Sequence, residues 1–201
     1  MEKPGKISII SPVYQAAGNI SQLVSQIMIE ISQLTDQFEI ILVEDGSTDT
    51  SWDEILASCK GSDKVKGLKL SRNFGQHYAV TAGLEFAQGD IIIIMDCDLQ
   101  DDPVAVKELY AAHLLGNDIV FTKRINRKQS IYKLVTAKIF NLLFRFFSDR
   151  RYDVNTGSMV LFTSRIKSIF LELKDKDRLY IQLLKWIGFI MPESHAIWTQ
   201  F

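Results

Sequence analysis

The sequence predicts an α/β protein with a mostly parallel, Rossmann-like sheet covered by helices. Short apolar or β-branched runs alternate along the chain with longer segments of helical periodicity, and this alternation is typical of parallel sheets. Such runs are the kind found in strands that are buried on both faces. Five strands are predicted, at Lys6–Ile10, Phe38–Val43, Lys64–Leu70, Asp90–Met95 and Asp118–Thr122.

Four helices are predicted between these strands, and start signals support two of their boundaries. Ser51 and Glu54 have the spacing of a capping box. Asp102 precedes Pro103, as an N-cap precedes a proline at the first helical position, and Asp101 is interpreted as a cap as well. The helices are predicted at Asn19–Leu34, Ser51–Cys59, Gln76–Ala87 and Val104–Leu115.

Composition limits the classes of protein that the chain can belong to. With 201 residues, 47% of them hydrophobic, the chain can bury one sizeable core or a core plus a small lobe. A net charge of −1 gives no overall attraction to nucleic acid. The two cysteines, Cys59 and Cys97, lack the spacing of a metal or redox site, so a reducing compartment is inferred. No apolar run reaches the length of a spanning helix, and the chain as given is predicted to be soluble or peripheral.

Carboxylates follow two of the predicted strands at the edge where open α/β sheets bind ligands. Asp45 follows the second strand, and Asp96 and Asp98 follow the fourth, while Arg72 adds a cation after the third. Paired carboxylates suit Mg²⁺ or Mn²⁺ bridging to phosphate oxygens, and the helix opening near Gly75 is expected to offer amide hydrogens to phosphate. The edge therefore suits a nucleotide diphosphate held through a metal.

Each of these features also has a purely structural interpretation. An Asp-x-Asp turn before a helix is common capping chemistry, and Asp-Gly-Ser-Thr-Asp forms a good turn by itself. Arg72 is equally understood as a solvated side chain, and His77 is predicted to be a packed helix residue. Dinucleotide, phosphate-loop and nucleophile-elbow motifs are absent from the sequence, as are RNA-binding signatures.

The order of the motifs adds a resemblance to a known family. ISIISPVY, ILVEDGSTD, LSRNFGQHYAVTAGLEFAQGD and MDCDLQDDP resemble family 2 glycosyltransferases of the GT-A fold, in the branch of dolichol-phosphate mannose synthase and bacterial polyprenyl-phosphate glycosyltransferases. The resemblance implies inverting transfer of a sugar from a UDP- or GDP-linked donor with a divalent cation. It assigns Asp96 and Asp98 to the metal, and it assigns a second set of residues to the donor: Pro12, Tyr14, Val43, Asp45, Arg72, Asp96, Gln100 and Arg124.

The sequence also departs from the family pattern. Family members usually carry an Asn and several Glu where this chain has Gln15 to Asn19, so one donor contact is expected to be missing. Asn155 and Ser158 stand where related lipid-linked enzymes carry an Asp proposed as the base. Asp175 or Asp177 is preferred as the catalytic base, although an exposed charged turn would look the same. A lipid phosphate acceptor, already an anion, would need no base.

The second half of the chain differs from the first in charge. Residues 1–122 are predicted to form the nucleotide-sugar-binding core, and residues 123–201 an acceptor-side, membrane-facing lobe of the same catalytic domain, truncated before C-terminal elements. The segment from Lys123 to Arg151 contains nine basic residues and one acidic residue, Asp149. Lys138–Phe147 is apolar and aromatic with basic residues between, which suits either an interfacial membrane helix or a core-facing helix with a basic edge.

The resulting functional hypothesis is sugar transfer to polyprenyl phosphate in cell-envelope glycan synthesis. The protein is then expected to be cytoplasmic, peripheral at the inner face of the membrane, with transmembrane helices in the full-length chain and homo-oligomerisation left open. Three alternatives remain open from the sequence: extension of a saccharide acceptor, nucleotidyl transfer, and a non-catalytic membrane-associated nucleotide-binding module. No nucleic-acid partner is expected.

Overall fold

In the part of the chain that the structure describes, seven strands form one sheet with helices on both faces. The computed structural model describes residues 5–124, 156–173, 179–187 and 197–199. The strand order is β3-β2-β1-β4-β6-β5-β7, and β6 is antiparallel to both of its neighbours while the other pairs are parallel. The strands are β1 (Ile7–Val13), β2 (Phe38–Glu44), β3 (Val65–Lys69), β4 (Ile91–Ile94), β5 (Ile119–Arg124), β6 (Thr156–Thr163) and β7 (Ile197–Thr199).

Six helices accompany the sheet in the described part of the chain. The prediction of an α/β fold is confirmed, and all five predicted strands and four predicted helices are present with ends shifted by a few residues. None of the described helices is long and apolar enough to cross a bilayer. The helices are α1 (Ala17–Ile31), α2 (Ser51–Gly61), α3 (Gln76–Phe86), α4 (Ala105–Leu114), α5 (Ser164–Glu172) and α6 (Tyr180–Ile187).

Side chains alternate between two hydrophobic clusters, one on each face of the sheet. In β4, Ile91 and Ile93 belong to the cluster that α1, α2 and α4 cover, and Ile92 and Ile94 belong to the cluster that α3, α5 and α6 cover. Successive residues of a strand point to opposite faces, so an apolar run fills both clusters at once. This explains why β4 reads as an uninterrupted apolar run in the sequence.

Strand β6 was not predicted, and it connects the second half of the chain to the sheet. It lies between β4 and β5, with Ile94 of β4 paired to Val160 of β6. The local sequence of a strand that follows a long connection does not indicate which strands it pairs with. The position of β6 is therefore visible only in the tertiary structure. It places residues 156–158 beside the turn that follows β4.

The start of α2 is where predicted, but the predicted capping box is wrong. Thr50 occupies the N-cap position without a side-chain cap bond. The Asp49 carboxylate instead accepts the Ser51 backbone N–H at 3.0 Å and the Ser51 hydroxyl at 2.6 Å, and the hydroxyl bond is the main cause of the lowered pKa of Asp49. The carboxylate is the stronger acceptor, so it displaces the arrangement in which Ser51 and Glu54 cap each other.

The start of α4 also differs in detail from the prediction. The helix begins at Ala105, and the Asp102 carboxylate accepts the Val104 N–H at 3.0 Å in the turn before it. Asp102 therefore stabilises the approach to the helix, with Pro103 lying before the first helical residue. Asp101, which was interpreted as a cap, instead accepts the Ser158 hydroxyl of β6 at 2.5 Å.

An ionic cluster lies at the amino end of the strands, opposite the predicted site. The Glu39 side chain of β2 is 2% exposed and lies 2.9 Å from Lys6 Nζ and 2.7 Å from Lys66 Nζ. It also accepts the Ser8 hydroxyl at 2.6 Å and the Gln88 N–H at 2.8 Å. Burial raises the pKa of Glu39, but the bonds to Lys66, Ser8, Lys6 and Gln88 together lower it to about 2.

This cluster predicts a pH-dependent contribution to stability. A carboxylate whose pKa is lowered in the folded state stabilises the protein at pH values above its unfolded-state pKa of 4.5. This contribution is lost as the pH falls towards the folded-state pKa of about 2. Because both lysines reach solvent, we expect the charge to contribute about 1–2 kcal/mol at pH 7. Urea unfolding of the wild type and Glu39→Gln at pH 7 and pH 3 measures it, and the difference should shrink at pH 3. A difference that is constant with pH would contradict the assignment.

Candidate functional site

A cavity of about 490 Å³ opens at the carboxyl edge of the sheet. The ends of β1, β2 and β4 and the start of α3 form its wall, as expected for a ligand site in an open α/β sheet. Five predicted site residues line it together: Pro12, Tyr14, Asp45, Asp96 and Asp98. Tertiary structure thus brings the ends of three strands to one opening.

Asp45 fastens the loop before α3 to the end of β2. Its side chain is nearly fully buried, and its two carboxylate oxygens accept the backbone N–H groups of Phe74 at 2.7 Å and Gly75 at 2.9 Å. Asp45 thus accepts the amide hydrogens of Phe74 and Gly75, and the expectation that the helix opening near Gly75 offers amide hydrogens to phosphate stays a prediction for the first residues of α3. Asp45 also lines the cavity, so it shapes the pocket wall on which Gly75 and Asn73 lie.

The loop after β2 holds the loop after β1 in the same way. The Ser47 hydroxyl accepts the Gln15 N–H at 3.0 Å, and the Asp49 carboxylate accepts the Ala17 N–H at 3.2 Å. The Glu44 carboxylate in turn accepts the Ser47 N–H. Side chains of one loop thereby satisfy backbone donors of the next loop, which fixes the cavity wall without regular secondary structure.

Asp96 and Asp98 form the polar end of the cavity. The Gln76 side-chain amide at the start of α3 donates to Asp96 Oδ1 at 2.6 Å. Asp98 is exposed, and its Oδ1 accepts the Gln100 N–H at 3.0 Å. Both carboxylates border open space in the cavity, and carboxylate oxygens are the donors that Mg²⁺ and Mn²⁺ prefer.

The carboxylate pair fits a divalent cation that is shared with a ligand. Among the described residues, no group of three or more His, Cys, Asp and Glu side chains gathers into an all-protein metal site. Cations of this type commonly take one or two carboxylates and complete their shell with substrate phosphates and water. Two carboxylates on the wall of a cavity of about 490 Å³ match that pattern.

Three further predicted residues, Val43, Arg72 and Gln100, are not among the residues that line this cavity. Val43 is fully buried and packs beneath α3, and the Arg72 guanidinium stacks on the Phe74 ring at 4.5 Å. Gln100 is exposed just beyond Asp98. The backbone of Arg124 ends β5, but its side chain falls outside the described residues. Asp175, Asp177, Asn155 and the basic segment Lys138–Phe147 also lie outside the described residues.

Sequence reasoning missed three polar side chains next to the carboxylate pair. Gln76 contacts Asp96 directly, and the Asn19 side chain donates to the Cys97 carbonyl at 3.2 Å. Asp101, interpreted as a cap, is 4% exposed and accepts the Ser158 hydroxyl of β6 at 2.5 Å. No spacing rule marks these residues, since their partners are distant in sequence and depend on how the strands pair.

His77 has the packed position that was predicted for it. Its ring lies 5.6 Å from the Tyr180 ring of α6, measured between centroids. Burial lowers the pKa of His77, so the imidazole is neutral at pH 7. His77 is therefore a packing residue rather than a cation for phosphate.

Comparison with known proteins agrees with this geometry. Glycosyl transferase family 2 matches residues 8–173. The undecaprenyl-phosphate 4-deoxy-4-formamido-L-arabinose transferase of Aeromonas hydrophila is 39% identical over 137 residues, covering 67% of this chain and 42% of that protein. An uncharacterized glycosyltransferase of Synechocystis is 31% identical over 185 residues, covering 92% of this chain and 58% of that protein. The chain thus spans about half the length of these curated relatives.

Solved structures with the same fold include enzymes of the GT-A class. A mannosyltransferase from Pyrobaculum calidifontis in complex with GDP-Man and Mn²⁺ aligns with a TM-score of 0.62 at 15% identity, covering 98% of this chain and 57% of that one. Glucosyl-3-phosphoglycerate synthase from Mycobacterium tuberculosis, with Mn²⁺, UDP and phosphoglyceric acid, aligns with a TM-score of 0.62 at 18% identity, covering 98% and 68%. These likenesses establish the fold, and the sequence match establishes the family. The chain belongs to glycosyl transferase family 2 and has a GT-A fold.

Proposed function

We propose that this protein transfers a sugar, with inversion, from a UDP- or GDP-linked donor to polyprenyl phosphate in cell-envelope glycan synthesis. The observation that carries the proposal is the Asp96 and Asp98 pair on the wall of a cavity of about 490 Å³, in a chain of glycosyl transferase family 2. The volume suits a small-molecule ligand, and the pair stands at the edge where α/β sheets bind nucleotides.

The donor would occupy the cavity with its nucleoside towards β1 and β2. Pro12 and Tyr14 from β1 and its following loop, together with Asp45, line that part of the wall. The bonds from Asp45 to Phe74 and Gly75 hold the wall in place before the ligand arrives, which lowers the ordering cost of binding. Arg72, Gln100 and Arg124 are proposed to act near the diphosphate, and Val43 supports the pocket from below.

Asp96 and Asp98 would hold the divalent cation, Mg²⁺ or Mn²⁺, together with oxygens of the donor. When bound, such a cation supplies positive charge that stabilises the departing diphosphate. The chain's own contribution is to orient the pair. Gln76 fixes one oxygen of Asp96, and the Gln100 amide fixes one oxygen of Asp98.

A phosphate acceptor would account for the missing Asp of related lipid-linked enzymes. Asn155 and Ser158 occupy the candidate positions for that Asp, and the Ser158 hydroxyl donates to Asp101. An anionic phosphate oxygen can attack the anomeric carbon directly: the new carbon–oxygen bond forms as the bond to the nucleoside diphosphate breaks, with the electron pair leaving on the diphosphate. No proton has to be removed, so the reaction needs no base.

A saccharide acceptor would require a base, because its hydroxyl proton must be removed. For that alternative, Asp175 and Asp177 remain the proposed candidates. The relatives named as undecaprenyl-phosphate transferases favour the lipid phosphate.

The second half of the chain is proposed to face the acceptor and the membrane. Residues 123–201 carry the basic excess between Lys123 and Arg151, and basic segments are attracted to anionic lipid headgroups. We propose a peripheral location at the inner face of the cell membrane. Residues 1–122 would then bind the donor while the lobe that follows presents the lipid.

Calorimetric titration tests the donor side of this proposal. UDP, GDP and UDP-glucose are titrated into the protein with Mn²⁺ and then with a chelator, and we expect one nucleotide to bind only with Mn²⁺. Transfer is then measured in the full-length protein with that nucleotide's sugars, using undecaprenyl phosphate and an oligosaccharide as acceptors. Transfer to the lipid alone supports the proposal, and transfer to the oligosaccharide alone overturns the acceptor assignment. Absence of metal-dependent nucleotide binding in the full-length protein overturns the donor assignment.

A further inference from the structure

The turn that carries the carboxylate pair has a strained backbone. Leu99, between Asp98 and Gln100, has a φ of 58°, in the left-handed region. For a residue with a branched side chain this conformation is strained. The hydrogen bond from the Gln100 amide to Asp98 lies within the turn, so it does not hold the turn against the rest of the protein. A contact to another element must do so.

Asp101 makes such a contact at the end of the same turn, in addition to the bond from the Asn19 side chain of α1 to the Cys97 carbonyl at 3.2 Å. Its side chain points inward, is 4% exposed, and accepts the Ser158 hydroxyl at 2.5 Å. A buried carboxylate is costly unless hydrogen-bond donors satisfy it, so the Asp101 and Ser158 side chains are strongly constrained to stay together. Ile94 pairs with Val160 in antiparallel register, so Ser158 lies at the level of Asp96.

The contact continues from Ser158 to α6. The Tyr180 hydroxyl donates to the Ser158 carbonyl at 3.3 Å, and Tyr180 is 2% exposed. Burial raises the pKa of Tyr180, and the nearby Asp96 and Asp101 carboxylates raise it further, so the hydroxyl keeps its proton and can donate.

The other side of Tyr180 leads back to the carboxylate pair. The Tyr180 ring packs on the His77 ring. Gln76, the residue before His77 in α3, donates to Asp96. The route therefore runs from Asp101 through Ser158, Tyr180 and α3 to Asp96, and it joins both ends of the metal-binding turn to β6 and α6. These two elements come from the half of the chain that is assigned to the acceptor.

We propose that Asp101 is a positioning residue for the donor metal: through Ser158 it holds the strained turn against β6 and thereby fixes where Asp98 and Asp96 present their oxygens. This inference rests on the proposed function for its effect on donor binding. The effect on the turn itself is independent of that function. Asp101 does not line the cavity, and it acts on the ligand only through its neighbours.

Two readouts on the 201-residue chain test the proposal. The first is hydrogen exchange, by mass spectrometry and without ligand, of peptides covering residues 95–104 and 156–162. The second is Mn²⁺-dependent nucleotide affinity by calorimetry. The variants are Asp101→Ala, Asp101→Asn and Ser158→Ala. The matched control is Asp102→Ala, which removes the neighbouring carboxylate and its bond to the Val104 amide.

Asp101→Ala and Ser158→Ala should speed exchange in residues 95–104 and weaken metal-dependent affinity by about tenfold or more, as loss of an orienting partner does. Asp101→Asn keeps an oxygen that accepts the Ser158 hydroxyl, so it should recover most of the affinity. Asp102→Ala should leave affinity near the wild-type value. Ser158→Ala removes the same hydrogen bond but retains the buried Asp101 carboxylate. It therefore tests the proposal even if Asp101→Ala does not fold.

The outcomes separate the two proposals. Unchanged exchange in residues 95–104 in both Asp101→Ala and Ser158→Ala overturns the positioning role. So does a melting temperature that falls while metal-dependent affinity is unchanged. If the wild type binds no nucleotide, the donor proposal fails, but the exchange experiment still decides whether Asp101 and Ser158 hold the turn.

Discussion

Asp98→Ala is expected to abolish Mn²⁺-dependent nucleotide binding while leaving the fold intact. Asp98 is exposed, lines the cavity and is one of the two carboxylates proposed to ligate the cation. With only Asp96 left, the ion loses half of its charged protein ligands, and we expect affinity to fall by about 100-fold or more, equivalent to about 3 kcal/mol. The measurement is calorimetry of the wild type and the variant with nucleotide, in Mn²⁺ and in chelator.

The stability of Asp98→Ala should change by less than about 0.5 kcal/mol, because surface side chains without buried partners contribute little. Asp102→Ala is the matched control, since it removes an exposed carboxylate four residues away and should retain metal-dependent binding. Equal nucleotide affinity in Asp98→Ala and the wild type would show that Asp98 is not a metal ligand. A large loss of melting temperature would show instead that Asp98 is structural.

Gly46→Ala is expected to be the most damaging single-methyl substitution at the cavity. Gly46 has a φ of 68°, and a Cβ built there would lie 2.2 Å from the Asn73 nitrogen and 2.4 Å from the Arg72 carbonyl carbon. Both are backbone atoms that cannot rotate away. Left-handed strain of roughly 1–2 kcal/mol and an overpacking cost of similar size should lower the free energy of unfolding by about 3 kcal/mol.

The displacement from Gly46→Ala would also reach the pocket, because Asp45 precedes Gly46 and binds the amides of Phe74 and Gly75. Nucleotide affinity should fall together with stability. Gly116→Ala is the control: Gly116 has a φ of 95°, and a Cβ added there would meet nothing within 4 Å. It should cost about 1 kcal/mol, with unchanged nucleotide binding. Denaturant unfolding measures both variants, and equal losses would show that the contact with residues 72–73 is unimportant.

Local pattern was sufficient to predict the first 124 residues as alternating strands and helices. Apolar runs such as Ile91–Ile94 belong to strands with both faces buried, and helical periodicity marked α1 and α3 to within a few residues. Strand order and the position of β6 could not be predicted in this way. A strand's sequence carries its face pattern but not the identity of its neighbour, and β6 pairs with β4 across about 65 residues of chain.

In the candidate site, too, some residues were predictable from the sequence and others were not. Asp45, Asp96 and Asp98 were identifiable because each comes within three residues of the end of an apolar run, and the ends of parallel strands meet at one edge. Val43 also follows from the family motif, yet it lies in the core rather than on the cavity wall. The turn at Asp101 looked like capping chemistry, because sequence spacing describes contacts within a few residues.

By itself, the sequence determined the α/β class, the family and the carboxylate pair, since these depend on local periodicity and on motifs that are contiguous in the chain. Only the tertiary structure decided which side chains hold that pair in place. Gln76 reaches Asp96 across 20 residues, and Ser158 reaches Asp101 across 57. Such bonds exist only after the strands have paired and the two hydrophobic clusters have formed, because a hydrogen bond between distant residues does not repay the loop-closure entropy without that packing.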